Sequence, residues 1–340
     1  MERKKLRIYI AAAYGVTFLM GLLMWYGTGR HFDLSAFPNA QMFYPAAGVM
    51  LGILCTQKED VLVPKVFYCF FVCVTGIMAA VAVLSIVNPY AMIFYMGIPV
   101  ALWTLMQQLF IIGASIAGWI ILLATKKEKR RAYGLCWNKG ASSWFCIVLF
   151  VAVYSFRTVI TALWSGQMSA LGMIAKNANT WMMLAVLPVN FFLVFTAFFG
   201  EEYGWRYYLQ PLMQKRFGMR GGVLLLGVVW GIWHLPVDVF YYTQDSQLLM
   251  VLAQQITCIT LGIFFAYAYM KTENIWVPVV LHFLNNNFVP ILSGNAAASA
   301  LENQSLTWEE LLTSLVINGA VFSVFLFAKP FRKKLLFILH

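Results

Sequence analysis

Four side chains capable of acid–base chemistry stand in or beside apolar segments of this chain. Glu201 and Glu202 follow an apolar run, in FFGEEYGWRYYLQP, and His234 and His282 each lie within a later apolar run. Ionisable side chains are costly in such surroundings unless they have partners or a function. The chain has only 13 acidic residues in 340, so two adjacent carboxylates here indicate a functional site.

The two carboxylates are predicted to differ in role. On a helix, Glu202 and Arg206 are four residues apart, so this spacing predicts that they pair. Glu201 lies on a neighbouring face and is left as the carboxylate available for chemistry. The alternative interpretation is that both are boundary residues that reach toward the cytoplasm.

His234 lies in GVLLLGVVWGIWHLPVDVF, with Trp230 one helical turn earlier. A histidine inside a membrane span needs a polar partner. A hydrogen bond to another helix and a functional role both satisfy this need, and the residues alone do not decide between them. Gly227 and Gly231 form a face of small residues beside it, which predicts that another helix approaches closely.

His282 lies in NIWVPVVLHFLNNNFVP, and Asn286 shares its helical face because the two are four residues apart. Three consecutive amides are costly to leave unpaired in an apolar span. We therefore expect Asn285 or Asn287, at least, to join helices by hydrogen bonding.

Together these side chains suffice for hydrolysis. A carboxylate takes a proton from water, a histidine orients that water, and donors stabilise the oxyanion. The chain has neither a GxSxG serine nor an HExxH motif. The sequence therefore favours neither a serine nucleophile nor a zincin-type site.

The composition predicts the elements that must position this site. The chain is 61% hydrophobic and 11% charged, with a mean hydropathy of +0.75, which is typical of a polytopic membrane protein. Since helices satisfy their own backbone groups in lipid, we predict an all-α fold with about 8–10 transmembrane helices. The candidate spans are 6–27, 40–56, 66–88, 103–125, 143–164, 180–199, 222–242, 249–270, 275–294 and 311–328.

The basic residues predict the orientation. With the N-terminus inside, nearly all of the 24 Lys and Arg residues fall on the inside, so both termini are predicted to be cytoplasmic. The exceptions are Arg30 and Lys176, which fall outside, and Arg157, which lies within a span. The net charge of +11 is spread over several short loops. We attribute it to topology and to attraction by membrane lipids, and not to nucleic-acid binding.

Three parts of the chain are distinguished by their polar content. We predict N-terminal scaffold helices over 1–142, a catalytic transmembrane core over 143–300, and a C-terminal helix with a basic tail over 301–340. The expected location is the cell (plasma) membrane, as a multi-pass protein.

Three segments depart from regular spans. The candidate 40–56 is short and contains Pro45. The run 89–102 contains two prolines and is expected to be interfacial or re-entrant. The helix that carries Glu202 is expected to break near Pro211, with the residues that follow lying in the membrane interface.

The polar segments resemble the motifs of a known family. EEYGWRYYLQPLMQKRFG, VVWGIWHLP and VPVVLHFLNNN are similar to the EExxxR, FxxxH and HxxxN motifs of the CPBP (CAAX protease and bacteriocin-processing, or Abi) family of intramembrane proteases. That family includes the type II CAAX prenyl endopeptidases. The resemblance covers roughly residues 180–295, with the motifs in order, and differs in having Trp230 where the family has Phe.

The resemblance implies an eight-helix type of membrane fold, with a cavity facing the cytoplasm, and an endopeptidase that cleaves near that membrane face. It implies that Glu201 is the general base and that His234 orients the water. His282 and Asn286 would form the oxyanion hole.

The resemblance gives Glu202 and Arg206 structural or supporting roles. It leaves the cofactor open, because a metal-free glutamate mechanism competes with a metalloprotease mechanism. We expect no obligatory cofactor, and zinc is the candidate metal since glutamate and histidine side chains can bind it.

The substrate and two rival functions also remain open. A peptide or membrane protein is the expected substrate, either prenylated at a CAAX tail or a bacteriocin precursor. The first rival is a non-catalytic bacteriocin-immunity or partner-binding membrane protein on the same fold. The second is a transporter or proton relay that uses the same titratable groups, against which stands the absence of a visible repeat.

Overall fold

The computed structural model describes residues 2–57, 59–95, 97–292 and 302–332. The described residues are helical apart from loops and one short antiparallel hairpin. The predicted all-α class is therefore confirmed.

The helices follow one another with short connections. In chain order they are α1 (Glu2–Ile10), a π-helical turn (Ala11–Gly15), α2 (Val16–Thr28), α3 (Ala36–Gln41), α4 (Tyr44–Thr56), α5 (Lys65–Val87), α6 (Leu102–Ala124), α7 (Lys127–Ala132), α8 (Gly140–Trp164), α9 (Met168–Lys176), α10 (Ala178–Glu202), a π-helical segment (Tyr203–Leu209), α11 (Gln210–Phe217), α12 (Met219–Phe240), α13 (Gln247–Thr272), α14 (Trp276–Leu292) and α15 (Trp308–Ser323). Two 3₁₀ turns, Val324–Phe327 and Lys329–Arg332, follow α15.

The chain divides into two compact units. The first comprises Met1–Cys136 and Phe192–Trp205, and the second comprises Trp137–Phe191 and Arg206–His340. The last part of α10 therefore belongs to the first unit, whereas α8, α9 and α11 to α15 belong to the second.

Eight helical segments of the described chain are long and apolar enough to cross a membrane. They are Glu2–Thr28, Lys65–Val87, Leu102–Ala124, Gly140–Trp164, Ala178–Phe217, Met219–Phe240, Gln247–Thr272 and Trp308–Phe327. The shorter α14 corresponds to the predicted span 275–294, whose last two residues lie outside the described chain, as do Lys333 and Lys334 of the basic tail. These helices confirm a polytopic membrane protein.

The predicted span 40–56 is two helices and not one. α3 ends at Gln41, and α4 begins at Tyr44 with Pro45 in its first turn. The first turn of a helix tolerates proline, because its backbone N–H groups have no partner within the helix. At 13 residues, α4 alone is shorter than a membrane-spanning helix.

α4 runs antiparallel to α1. A Cβ added at Gly48 would lie 3.1 Å from the Cα of Tyr9, and one added at Gly52 would lie 3.4 Å from the Cα of Lys5. The chain therefore returns to the end of α1 that carries Lys5. This return agrees with the side that the basic residues predict for the loop after α4, while the cytoplasmic orientation itself stays a prediction.

The run 89–102 contains a β-hairpin that was not predicted. Strands β1 (Met92–Tyr95) and β2 (Ile98–Ala101) pair antiparallel, with Met92 opposite Ala101. Gly97, with a φ of +81°, lies between the strands and supplies a backbone conformation that L-residues rarely adopt. Four-residue strands are too short to cross a membrane.

The expected helix break near Pro211 is wrong. α10 continues through the π-helical segment Tyr203–Leu209 directly into α11, which ends before Gly218 at a φ of +77°. Pro211 lies in the first turn of α11, and the preceding wide turn accommodates its ring. Short π-helical segments inside helices occur frequently at functional sites, and this one begins directly after Glu202.

Candidate active site

Glu201 and Glu202 end α10 and are both buried, with exposed fractions of 3% and 0%. Buried carboxylates are rare unless they are paired or used in chemistry. The structure thus shows that these residues are not boundary side chains reaching into solvent. That excludes the alternative interpretation of the glutamate pair.

Two glycines bring the glutamate-bearing turn against the turn between α3 and α4. A Cβ added at Gly200 would overlap the carbonyl oxygen of Met42, and one added at Gly204 would overlap Pro45. Only glycine permits this approach. The segment GEEYG therefore contains both carboxylates and the two glycines that allow this close packing within the first unit.

Buried hydrogen bonds fix the residue that follows the glutamates. The hydroxyl of Tyr203 donates to the carbonyl oxygen of Tyr133 at 3.0 Å, and it lies 2.6 Å from the hydroxyl of Tyr68. Since a hydroxyl has one proton, Tyr68 is the donor in the second bond. The Tyr203 ring also stacks on Phe199, with ring centres 4.9 Å apart. These contacts hold the start of the π-helical segment within the first unit.

Trp230 is the centre of the site residues in the second unit. Its ring centre lies 5.8 Å from that of His234 and 5.6 Å from that of His282. The guanidinium carbon of Arg206 lies over the same indole, 4.8 Å from the ring centre. The π-helical segment, α12 and α14 therefore meet at one aromatic side chain.

Phe265 of α13 completes this aromatic cluster. Its ring centre lies 6.2 Å from that of Trp230, 6.0 Å from that of His282 and 5.5 Å from the guanidinium carbon of Arg206. All of these side chains are buried. The cluster thus holds a cation and two imidazoles among aromatic faces, which attract cations.

The predicted face of small residues on α12 is confirmed. A Cβ added at Gly227 would lie 2.7 Å from the Cα of Ile259, and one added at Gly231 would lie 2.6 Å from the side-chain oxygen of Gln255. The amide of Gln255 donates to the carbonyl oxygen of Gly227 at 3.2 Å. The helix that approaches is therefore α13, which also supplies Phe265.

The polar partner of His234 lies in its own helix. Its Nδ1 is 3.0 Å from the carbonyl oxygen of Trp230, and the thiol sulfur of Cys258 is 3.7 Å from the same nitrogen. The backbone bond orients the imidazole ring and occupies Nδ1. The other nitrogen, Nε2, remains for chemistry.

The three amides of α14 have different roles. Asn285 donates to the side-chain oxygen of Asn286 at 3.0 Å, which leaves the Asn286 amide nitrogen as a donor. Asn287 donates to the carbonyl oxygen of Phe283 at 2.8 Å and accepts from Asn190 of α10 at 3.4 Å. Asn287 therefore joins two helices, as expected for one member of this group.

α12 also carries a buried carboxylate that the sequence motifs do not indicate. Asp238 lies one turn after His234 and is 0% exposed, and neither carboxylate oxygen has a hydrogen-bond partner among the described residues. Its spacing from His234 was the signal that could have identified it, since residues four apart share a helical face. It is a second ionisable group beside the histidine.

Zinc remains the candidate metal, and its possible ligands are Glu201 of the first unit and His234 and His282 of the second. Among the described residues of either unit taken by itself, no three His, Cys, Asp or Glu residues are close enough together to hold an ion. Structural and catalytic zinc sites use at least three protein ligands. A zinc site would therefore need a carboxylate of the first unit in addition to the two histidines.

The structure brings Arg206, His234 and His282 together in the second unit, with Asn286 one turn after His282 on α14. Glu201 and Glu202 belong to the first unit. Their approach to the histidines stays a prediction, as does the pairing of Glu202 with Arg206.

Comparisons with known proteins identify the segment that carries the site. Residues 182–288 match the model of the family described as Type II CAAX prenyl endopeptidase Rce1-like. A curated relative, CAAX prenyl protease 2 of Methanococcus maripaludis, is 28% identical over 109 residues, which are 29% of this chain and 39% of the relative. The chain thus matches well under half of that relative's length.

No solved structure matches the chain. The family match runs from α10 to α14 and contains all three polar motifs. The resemblance to the CPBP and CAAX protease family is therefore confirmed.

Proposed function

We propose that this chain, whose residues 182–288 match the CAAX prenyl endopeptidase family, is an intramembrane endopeptidase. The observation that carries the proposal is the buried cluster of His234 and His282 around Trp230, inside the matched segment. The protein would reside in the cell membrane. The peptide bond that it cleaves would lie near the cytoplasmic face of that membrane.

Glu201 is the proposed general base. It takes a proton from a water molecule, whose oxygen then attacks the carbonyl carbon of the peptide bond. Its burial supports this role, because a carboxylate buried away from water is costly unless it is paired or takes part in a reaction. Glu202 and Arg206 support the base and do not react.

His234 orients the attacking water. Its Nδ1 proton is donated to the Trp230 carbonyl oxygen, so Nε2 accepts a hydrogen bond from the water. This arrangement directs the second proton of the water away from Glu201 and aligns the oxygen for attack.

His282 and Asn286 stabilise the oxyanion. Attack on the carbonyl forms a tetrahedral intermediate with a negative oxygen, to which the imidazole N–H and the Asn286 amide donate. The bond from Asn285 supports this assignment, because it occupies the Asn286 oxygen and leaves the nitrogen as donor. The intermediate then collapses, the C–N bond breaks, and the leaving amine takes the proton that Glu201 received.

The proposed substrate is the prenylated CAAX tail of a membrane-associated protein. The name of the curated relative, CAAX prenyl protease 2, supports this class above the two others. Bacteriocin precursors and other membrane-protein segments are the alternatives, and a panel of the three peptide types decides among them.

The test is cleavage of that peptide panel by the full chain in detergent and in proteoliposomes. Glu201→Ala, His234→Ala and His282→Ala are each expected to abolish cleavage while the protein stays folded. If catalysis depends on zinc, a chelator should abolish cleavage. The proposed metal-free mechanism predicts the same cleavage rate with and without the chelator.

Two outcomes would replace the proposal. Biological function that survives in Glu201→Gln would indicate an immunity or partner-binding protein. Substrate flux across proteoliposomes without any peptide product would indicate a transporter.

A further inference from the structure

Arg157 is a charged side chain within α8 that the proposed reaction does not use. Its Nε donates to the side-chain oxygen of Asn318 at 2.6 Å, and its guanidinium carbon lies 5.4 Å from the ring centre of Tyr154. Among the described residues no carboxylate lies within 4.0 Å of it. The neighbours are neutral, so the charge of Arg157 lacks a counter-ion, which is costly within a membrane span.

The amide that holds Arg157 is itself held in place. Asn318 of α15 is buried, and its side-chain nitrogen donates to the hydroxyl of Ser314 at 2.9 Å. This second bond turns the amide oxygen toward the guanidinium. Because Nε is committed to Asn318 and the Tyr154 hydroxyl also bonds the guanidinium, the remaining Nη protons of Arg157 are the donors that can reach an anion.

An open apolar groove lies between the same two helices. It has a volume of about 450 Å³, within the range of roughly 300–1,000 Å³ that small-molecule sites occupy. Its walls carry almost no polar surface. They include Ala152, Val153 and Phe156 on α8, with Ala320, Val321 and Phe325 on α15 and the turn after it.

The groove and the arginine lie in line along the two helices. Arg157 is four residues after Val153, and Asn318 is three residues before Val321, so each shares a face with a wall of the groove. The groove therefore begins about one turn from the Arg157–Asn318 bond and extends toward the N-terminal end of α8. A cationic end followed by an apolar channel matches a lipid with an anionic headgroup.

We propose that this groove binds an anionic glycerophospholipid. One acyl chain lies along the apolar walls, and the phosphate accepts from the Nη groups of Arg157, whose planar fork suits phosphate oxygens. Basic pockets between transmembrane helices recognise anionic headgroups in this way. With the predicted orientation, the C-terminal end of α8 faces outward, so the lipid belongs to the outer leaflet.

The bound lipid would support the helices that carry the candidate site. Tyr154, beside Arg157, contacts Phe288 of α14 with ring centres 5.2 Å apart, and the groove residue Phe325 contacts Phe264 of α13 at 4.7 Å. α14 also carries His282. Loss of the lipid is therefore expected to loosen the second unit.

The test measures lipid binding and not cleavage, so it is independent of the proposed peptidase activity. The full chain in a mild detergent is titrated with phosphatidylglycerol or with zwitterionic phosphatidylcholine, and its melting temperature is followed. Phosphatidylglycerol is expected to raise the melting temperature more. Arg157→Gln should weaken phosphatidylglycerol binding about fivefold and abolish the preference.

Two control variants separate the parts of the site. Arg30→Gln removes a positive charge from the first unit, where Arg30 stacks on Tyr26, and should leave the preference intact. Ala320→Trp fills the groove but retains Arg157. It should reduce the number of bound phosphatidylglycerol molecules seen by native mass spectrometry, and it serves if Arg157→Gln does not fold.

The proposal is overturned if Arg157→Gln and Ala320→Trp both bind phosphatidylglycerol like the wild type. It is also overturned if inorganic phosphate alone reproduces the stabilisation, because then no acyl chain is recognised. Stabilisation through Arg157 by a farnesylated peptide with a free carboxylate, and not by phosphatidylglycerol, would assign the groove to a peptide ligand instead.

Discussion

The Nδ1 atom of His234 lies 3.0 Å from the carbonyl oxygen of Trp230, one turn earlier on α12. Since a carbonyl oxygen can only accept, the neutral imidazole carries its proton on Nδ1 and presents Nε2 as an acceptor. The indole of the same residue also contacts both candidate histidines and Arg206. Trp230 thus sets the tautomer through its backbone and the ring positions through its side chain.

Substitution of Trp230 separates these two effects. Trp230→Phe keeps the carbonyl and an aromatic ring, so we expect activity within about tenfold of the wild type, with a weaker attraction for Arg206. Trp230→Ala removes the ring that both imidazoles contact, and it should cost about 3–5 kcal/mol of stability and most of the activity. Stability is measured as the melting temperature and activity as kcat/KM for each variant. An alanine variant with wild-type kcat would contradict the positioning role.

Two neighbouring amides of α14, Asn286 and Asn287, provide a test variant and a matched control for the proposed oxyanion hole. Asn286→Ala removes a proposed donor and should lower kcat by about 10²–10³-fold with little change in KM. Asn287→Ala removes the bond from Asn190, so it should reduce stability and leave kcat of the folded protein near the wild-type value. The reverse pattern, with Asn287 controlling kcat, would place the oxyanion elsewhere.

The glycine after the glutamates should not tolerate a side chain. Gly204→Ala forces a methyl group against Pro45 and should destabilise the protein by about 1–3 kcal/mol or more. Gly76→Ala on α5 is the control, because nothing lies within 4 Å of its added Cβ. It should be neutral or stabilise the helix by up to about 1 kcal/mol. Equal effects of the two changes on thermal unfolding would show that the close approach at Gly204 is not required.

Asp60, in the loop between α4 and α5, should contribute a pH-dependent stability. The hydroxyl of Tyr133 donates to it at 2.6 Å and the backbone N–H of Leu62 at 2.8 Å, and these bonds lower the pKa of its carboxyl. A carboxyl whose folded-state pKa is lowered stabilises the protein above its unfolded pKa of about 3.9. That contribution is lost as the pH falls through the folded value.

The measurement is the difference in melting temperature between wild type and Asp60→Asn as a function of pH. Wild type should be the more stable at pH 6, and the difference should shrink as the pH is lowered below about 4. Glu59→Gln, a change at the exposed neighbouring residue, controls for loss of charge. A difference that stays constant from pH 6 to pH 3 would contradict the role of the Tyr133 hydrogen bond.

The sequence predicted much of this fold because apolar periodicity and length determine membrane helices. It located the long spans, the close helix approach at Gly227 and a helix-joining amide at Asn285 or Asn287. It did not predict the β1–β2 hairpin, because short strands lack a strong pattern. The sequence also did not predict that 40–56 divides into two helices, because that division depends on how α4 packs along α1.

The site was predictable at the level of residue types and less so at the level of partners. The motifs identified His234 and His282, but their common contact with Trp230 depends on how α12 and α14 approach in space. The stacking of Arg206 on that ring was missed because helical spacing suggested only an ion pair with Glu202. Asp238 was missed because a single carboxylate near the end of a span resembles ordinary surface charge.

The most direct test of the account is the cleavage rate of Glu201→Gln beside that of the wild type, both purified and with matching melting temperatures. Glu309→Gln, an exposed change on α15, is the control and should cleave like the wild type. Loss of the general base predicts a rate at least about 10²-fold lower for Glu201→Gln. Cleavage by folded Glu201→Gln at the wild-type rate would contradict the account.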